Sequence, residues 1–326
     1  MKQKIAIVAG GNSGEFEVSM KSAGVVKQFL DPERFVPYLI IIKGRDWRYI
    51  DESGEELFVN KDDFSLSLNG EKILFDAVFV AIHGTPGEDG RLQGYFDLLG
   101  LPYTSCDQST SALTFNKFFT LRFASGLGLK VARSVLLKRG DRLNYEEIAS
   151  ISGIPCFVKP NQGGSSVGMT KVTSAGMLPA AIEKAFGEDT QVLIEAFIAG
   201  REITCGVVTD KGRVRSLPVT EIISKNEFFD YEAKYTDGMA DEITPAHIPE
   251  DIEKMCRKTS EDLYKTLNCR GFVRFDFIYN DTGMYFLEVN TVPGLSPNSI
   301  LPQQAEAVGI SLTSLFTMVL EQALDK

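Results

Sequence analysis

Only two histidines and five cysteines stand in 326 residues. The cysteines (Cys106, Cys156, Cys205, Cys256, Cys269) are odd in number and widely spaced, with no Cys-x-x-Cys pair, so neither a structural zinc site nor a disulfide framework has the ligands it needs. Reduced thiols packed as small hydrophobes are the expectation. Positive charge is short as well. Lys and Arg number 34 against 44 Asp and Glu, a net charge of -10, which leaves no chain-wide cationic surface for nucleic acid or an acidic membrane. No apolar run approaches the ~20 residues of a membrane span. The apolar run at residues 5–9 meets Gly10 and Gly11 too soon to be the core of a signal peptide, so a cytoplasmic location is expected. There is no internal repeat and no low-complexity tract. What remains, 44% hydrophobic and 24% charged, is a globular composition, long enough for about two or three domains.

Patterning divides the chain into thirds. Residues 4–9 form a β-rich run ending at Gly10-Gly11, and residues 18–30 carry apolar side chains at helical spacing, a strand, glycine turn and helix in succession. Residues 38–42 and 77–82 read as further strands, apolar on both faces, which predicts a parallel sheet covered by helices. From about residue 105 the character changes to a helix at 113–125 and short strands at 131–137 and 156–158. Asn161 to Gly168, a Gly/Ser loop, follows Lys159-Pro160. No helix is predicted after that loop, which separates it from a Walker-type phosphate loop. The last third reads as strands at 191–198, 202–209 and 213–218, a long polar segment at 226–244, a helix at 252–267, strands at 272–279 and 285–289, and a closing helix at 311–324. A segment as long as 226–244 in a compact chain is functional or disordered.

Three constellations carry chemistry. In Gly271-Phe272-Val273-Arg274-Phe275-Asp276-Phe277 the two-residue strand period puts Arg274 and Asp276 on one face. Glu288 and Asn290 share a face of the next strand, so pairing of the two strands gathers Asp276, Glu288 and Asn290 into an all-oxygen cluster suited to Mg²⁺, or else into a solvated sheet face. Lys117 and Lys159 can offer point charges to a phosphate, with the glycine loop admitting backbone N–H groups, although such loops also serve as plain hairpin connections. Glu195 and Glu202, with Phe197 and Ile198 between them, suit hydrogen bonds to an adenine and a ribose, or are surface glutamates beside a turn.

Taken in order, these motifs resemble the ATP-grasp fold and, over nearly the whole chain, the D-alanine:D-alanine ligases. The resemblance rests on Gly10-Gly11-Asn12-Ser13-Gly14-Glu15 with Val18-Ser19; His83-Gly84-Thr85-Pro86-Gly87-Glu88-Asp89-Gly90 with Gln93-Gly94; Val158-Lys159-Pro160 with Gly164-Ser165-Ser166-Val167-Gly168; Tyr231-Glu232-Ala233-Lys234-Tyr235; and Glu288-Val289-Asn290-Thr291-Val292-Pro293-Gly294. It implies an α/β, three-domain ATP-grasp architecture: an N-terminal parallel-sheet domain at 1–104 and two mixed α+β domains, 105–194 and 195–326, that sandwich ATP. The implied reaction is ATP-dependent joining of two D-alanines through a D-alanyl phosphate, for peptidoglycan. By the same resemblance Lys117, Lys159, Gly164, Ser166 and Lys234 hold the phosphates, while Glu195, Phe197, Ile198 and Glu202 hold adenine and ribose. Asp276, Glu288 and Asn290 take two Mg²⁺, with Mn²⁺ able to substitute. Glu15 anchors the first D-alanine's ammonium in a network with Ser165 and Tyr235, and His83 lies beside that amino acid's carboxylate. Arg274 and the Gly294 backbone stabilise the transferring oxygen, and Ser299 with Ile300 receive the second carboxylate. Residues 226–244 become a lid that keeps water from the acyl phosphate. A homodimer is the implied assembly.

Glu17, next to the anchor, reads as an acidic residue facing the helix dipole. Phe16, Val292 and Leu295-Ser296 depart from the family pattern, which touches fine substrate preference and leaves the reaction class intact. D-lactate or D-serine as second substrate, and an ATP-binding regulatory module without turnover, are the alternatives. A dinucleotide enzyme built on the first βα turn is disfavoured, because that turn lacks Gly-x-Gly-x-x-Gly spacing and puts a carboxylate where pyrophosphate would sit.

Overall fold

The computed structural model describes residues 2–51, 53–224 and 240–325. β1 (Gln3–Gly10), buried at its last six positions, pairs parallel with β2 (Phe35–Lys43) on one side and β7 (Ala77–Val80) on the other. The parallel centre is as expected, but the sheet is mixed. β3 (Asp46–Ile50) and β4 (Glu56–Phe58) extend it antiparallel beyond β2, in the order β4-β3-β2-β1-β7. A separate hairpin, β5 (Leu66–Leu68) and β6 (Glu71–Ile73), turns through Asn69-Gly70, both at positive φ, the conformation an Asn-Gly hairpin turn favours. These added strands run three to five residues, too short for a two-residue period to stand out.

Helix α1 (Phe16–Phe29) buries Ser19, Ser22, Ala23 and Val26, one face at i, i+3, i+4 and i+7, and carries Glu17 in its first turn and Lys27 in its last, where each complements the helix dipole. α2 (Arg91–Leu99) follows β7. The single helix expected at 113–125 is two, α3 (Gln108–Phe115) and α4 (Lys117–Gly126), because Asn116 adopts an extended backbone and its side chain accepts from Phe119 N. Asn161 completes this cap: its side-chain oxygen accepts from Phe118 N at 2.9 Å and its carbonyl from Lys117 N at 3.0 Å. The first donors of α4 are thereby satisfied by the start of the glycine loop, and Lys117 is fixed beside it.

β8 (Ser134–Lys138), β9 (Cys156–Pro160), β10 (Thr170–Val172) and β11 (Gln191–Ala196) form an antiparallel sheet in the order β10-β9-β11-β8. α5 (Tyr145–Ser152) and α6 (Leu178–Glu188) cover it, over a core that includes Leu137, Ile148, Val158, Ile182 and Ile194. The third sheet is also antiparallel, β14 (Ala240–Ile243), β13 (Arg213–Ser224), β12 (Arg201–Asp210), β15 (Phe272–Asn280) and β16 (Gly283–Asn290) in that order. α7 (Glu250–Thr266), α8 (Ile300–Glu306) and α9 (Leu312–Leu324) complete the chain.

The cores cross the sequence thirds. Phe316 of α9 meets Phe79 of β7 edge-on, 5.5 Å between ring centroids, so the first sheet packs on the last helix. Cys106, Leu121 and Ala124 join the core under the third sheet. All five cysteines are buried free thiols, as expected. Among the described residues no helix is long and apolar enough to cross a membrane.

Candidate active site

The three sheets converge on a cleft of about 1150 Å³. At its N-terminal side Glu15, 8% exposed, occupies the residue before α1 yet caps nothing with its side chain. Its Oε1 accepts a short hydrogen bond from Ser165 Oγ across the cleft, and its Oε2 is buried with no hydrogen-bond partner among the described residues. A buried carboxylate oxygen in that state is costly unless a cationic ligand meets it. Gly164 is what allows the approach. A Cβ there would stand 2.6 Å from Glu15 Oε2 and 3.0 Å from Oε1. Ser165 and Ser166 both hold φ in the left-handed region (50° and 58°), where serine is rarely found, so the loop stores backbone strain at the point where it reaches Glu15.

His83 also faces this end, but its ring is engaged by the protein. Nδ1 donates to Val292 O at 2.8 Å, which fixes the tautomer, so Nε2 accepts from Ser22 Oγ at 2.8 Å. Burial lowers its pKa, against the raising effect of the Glu15 charge, and the ring is neutral. With both ring nitrogens engaged, His83 ties the loop after β7 to Val292 and α1 while still lining the cleft, where the expectation sets it beside the first amino acid's carboxylate. Glu88, quoted in the motif but given no task from sequence, does similar work. Its Oε2 accepts from Gly84 N at 2.7 Å and its Oε1 from Val292 N at 3.1 Å. Burial, with the nearby Glu15 charge, pushes its pKa up to about 7.

At the opposite end Lys159 forms a short ion pair with Glu195. Register explains it: Leu193 faces Lys159 and Glu195 faces Phe157, so lysine and glutamate are diagonal neighbours on one face. Burial alone would lower the Lys159 pKa, but Glu195 and Glu288 outweigh it and the ammonium is held charged. Lys117 donates to Gly163 O at 2.6 Å and lies 3.7 Å from Glu288. Phe197 stacks obliquely on Phe157, 5.9 Å between centroids, with Lys171 over its ring at 4.6 Å. Ile198, Glu202 and Ser166 line the same cavity. Arg201, between these residues in sequence, grips the buried Glu221 with two 2.6 Å bonds, a pairing 20 residues apart that no local pattern marks.

The floor is the β15–β16 pair. Asp276 lies opposite Glu288 and Arg274 opposite Asn290, as the strand periods require. Arg274 Nε and Nη2 donate to the two oxygens of Asp276, each at 2.9 Å, and Asn290 Nδ2 donates to Oδ2 at 2.9 Å. Thr204 Oγ1 adds a short bond to Oδ1. Burial would lower the Arg274 pKa, but Asp276, Glu288 and Glu242 raise it, so the guanidinium stays charged. Asp276, 4% exposed, lies beneath Arg274, while Glu288 and Asn290 line the cleft. Of the three expected metal ligands, Glu288 and Asn290 face the cleft, whereas both Asp276 oxygens are taken by Arg274, Asn290 and Thr204; as hard oxygen donors the three suit Mg²⁺, which takes its other positions from phosphate and water, once Asp276 exchanges those bonds. Among the described residues no group of three or more His, Cys, Asp and Glu is arranged to hold a metal ion.

Gly294, Ser299 and Ile300 line the remaining wall. A Cβ on Gly294 would lie 2.8 Å from Ser299 Oγ, which is 2.8 Å from Ser296 Oγ. Glu242, unmarked in the sequence, also faces the cleft, accepts a long bond from Gln303, and has its pKa raised by burial against the pull of Arg274. Lys234 and Tyr235, with residues 226–239 of the expected lid, lie outside the described residues, while the end of that segment is the edge strand β14 rather than a loop.

Comparison with known proteins identifies the family. The family model described as D-ala D-ala ligase N-terminus matches residues 4–106, and the one described as D-ala D-ala ligase C-terminus matches residues 123–321. A D-alanine--D-alanine ligase of Flavobacterium johnsoniae is 48% identical over 322 residues, covering 99% of both chains, and one of Phocaeicola vulgatus is 45% identical, covering 98% of this chain and 99% of its own. Among solved structures, the D-alanyl-alanine synthetase A of Vibrio cholerae superposes with a TM-score of 0.90 at 28% identity, covering 100% of this chain and 99% of its own. The VanG D-Ala:D-Ser ligase of Enterococcus faecalis gives 0.86 at 34%, covering 98% and 99%. With two family models spanning most of its length, full-length relatives and an ATP-grasp cleft, the chain belongs to the D-alanine:D-alanine ligase family.

Proposed function

We propose that the cleft joins two D-alanines at the expense of ATP, forming D-alanyl-D-alanine for peptidoglycan by way of D-alanyl phosphate. The observation that carries this reading is the unpartnered Glu15 oxygen, an ammonium site built against the glycine loop in the same cavity as Lys117, Lys159 and Arg274. A carboxylate is a poor electrophile, so the chemistry needs phosphorylation first and a sheltered amine attack second.

In this reading Glu15 and Ser165 hold the first amino acid by its ammonium and thereby point its carboxylate at the nucleotide. Lys117 and Lys159 supply fixed positive charge for the phosphates, and Ser166 and the Gly164 backbone close over them. Glu195 and Glu202 flank the Phe197–Ile198 wall at the nucleoside end. Asp276, Glu288 and Asn290 would hold Mg²⁺, which when bound supplies charge neutralisation to the phosphates. Arg274, kept charged and aimed by Asp276, with the Gly294 N–H, stabilises the negative oxygen of the tetrahedral species formed when the second amine attacks. Ser299 and Ile300 orient the second D-alanine by its carboxylate. Lys234 and Tyr235 would complete the phosphate and ammonium sites from the lid. Residues 1–104, 105–194 and 195–326 are the three bodies this reading assigns, in a cytoplasmic homodimer.

Phosphate release that depends strictly on D-alanine, with D-alanyl-D-alanine as product, is the expected result. ATP binding without turnover would instead favour a regulatory module. A D-serine acceptor is the second reading, favoured by the 34% identity to the enterococcal D-Ala:D-Ser ligase. Competition between D-alanine, D-serine and D-lactate, with products identified by mass, separates them, and a mixed dipeptide or depsipeptide in excess would overturn the D-alanine choice.

A further inference from the structure

Gln304 is a fully buried polar residue of α8 to which the account above gives no task. Its carboxamide is spent on the third sheet. Oε1 accepts from Gly206 N at 2.9 Å, and Nε2 donates to Thr204 O and to Thr220 Oγ1, each at 3.0 Å. The sheet needs these bonds at that point. The β12–β13 ladder runs in register to Cys205↔Val219, then resumes at Val207↔Ser216, so Gly206 sits in a bulge opposite Leu217 and Pro218, and Pro218 has no N–H to offer. Gly206 itself is matched to the amide, since a Cβ there would lie 2.6 Å from Gln304 Oε1.

The other edge of β12 is unbroken and leads to the chemistry. Thr204 lies opposite Asp276 and Gly206 opposite Arg274. The two β12 backbone groups that Gln304 holds therefore belong to the residues facing the Arg274–Asp276 pair, and Thr204 Oγ1 bonds Asp276 directly. Gln304 also shares its short helix with Ile300, which follows Ser299 at the second amino acid's wall. The next residue back, Gln303, reaches Glu242 of β14.

We propose that Gln304 is a positioning residue that locks α8 onto the β12 bulge, so that the acceptor wall at Ser299–Ile300 and the Arg274–Asp276 pair keep one fixed relation. This rests on the ligase reading above. An apolar side chain of similar length would leave Gly206 N–H and Thr204 O buried without these partners, and helix and bulge would part to let water in.

The test compares wild type, Gln304→Met and Thr220→Val by D-alanine-dependent phosphate release, with rates divided by active sites counted from ADP-binding stoichiometry. For Gln304→Met, misplacement near the reacting groups is expected to lower kcat per site about tenfold and raise the D-alanine KM about fivefold, with the ATP KM within about twofold. Mn²⁺ affinity of the ADP complex, read by electron paramagnetic resonance, is expected to weaken in step. Thr220→Val, which removes one of the three bonds, shifts the same quantities less in the same direction. Should Gln304→Met lower only melting temperature or the number of active sites, leaving per-site kcat, both KM values and Mn²⁺ affinity unchanged, the inference is overturned. If Gln304→Met does not fold, Thr220→Val decides by the same criterion. A wild type without D-alanine-dependent turnover overturns the ligase reading and this inference with it, whereas an active wild type with unaltered variants overturns the inference alone.

Discussion

Replacing Glu15 with glutamine isolates the charge of the proposed ammonium anchor while keeping its shape. The amide oxygen can still accept from Ser165 Oγ, so the loop contact survives. What disappears is the negative charge at Oε2, an atom with no partner among the described residues and closed in by Gly84 and Gly164. Two unit charges about 4 Å apart near a protein surface interact by about 4 kcal/mol, and losing one partner of a buried hydrogen-bonded pair costs about 2–5 kcal/mol. At about 1.36 kcal/mol per decade this corresponds to a fall of about 30- to 5,000-fold in kcat/KM for D-alanine. Nothing at the Lys159–Glu195 end changes, so ADP affinity measured by calorimetry stays at the wild-type value. The amide nitrogen takes the place of an oxygen that already lacks a partner among the described residues, so the stability of the ligand-free protein changes little beside the kinetic effect. Phosphate release at varied D-alanine is the assay, and a kcat/KM within about threefold of wild type would refute the ammonium-anchor argument.

Three further outcomes follow from other parts of the cleft. Gly164→Ala places a methyl 2.6 Å from Glu15 Oε2, so either the carboxylate or the loop must give; the D-alanine or ATP KM rises accordingly, and steady-state kinetics leaving both unchanged would contradict the contact. Arg274→Lys keeps the charge but cannot reproduce the paired 2.9 Å bonds to Asp276, and turnover falls about 100-fold, a loss that wild-type kcat in the variant would disprove. Glu88 has its pKa raised by burial, and further by Glu15, from 4.5 to about 7, so the stability it lends is whole below about pH 4.5 and is lost as pH rises through about 7. The melting temperature of wild type therefore falls from about pH 4.5 to about pH 7 relative to that of Glu88→Gln, and parallel pH profiles for the two would sink the assignment.

Much of the floor of the site was legible along the chain because it depends on a local rule. Alternation of side chains in a strand is enough to place Arg274 with Asp276 and Glu288 with Asn290, and one antiparallel pairing brings the two sets together. Lys117 and Lys159, the glycine loop and the two glutamates were likewise marked by residue type and order. Where sequence reading fell short, the deciding partner came from elsewhere. The helix at 113–125 breaks at Asn116 because Asn161, 45 residues on and beyond two strands, supplies acceptors for the first N–H groups of α4. His83 is marked by its motif, but the bonds that hold its ring, to Val292, 209 residues away, and to Ser22, have no local sign.

By itself the sequence determined which side chains are available and, through periodicity and motif order, the ATP-grasp plan and the family. Tertiary structure decided which of them face one another. The Glu15–Ser165 bond joins residues 150 apart, and Glu88 reaches Val292 across 204. Gln304 fills a bulge that exists because Pro218 and Gly206 happen to meet in the β12–β13 ladder. Such contacts have no local signature, since each is stabilised by burial and by the need to pair polar groups away from water, conditions that arise when the sheets close on the cleft.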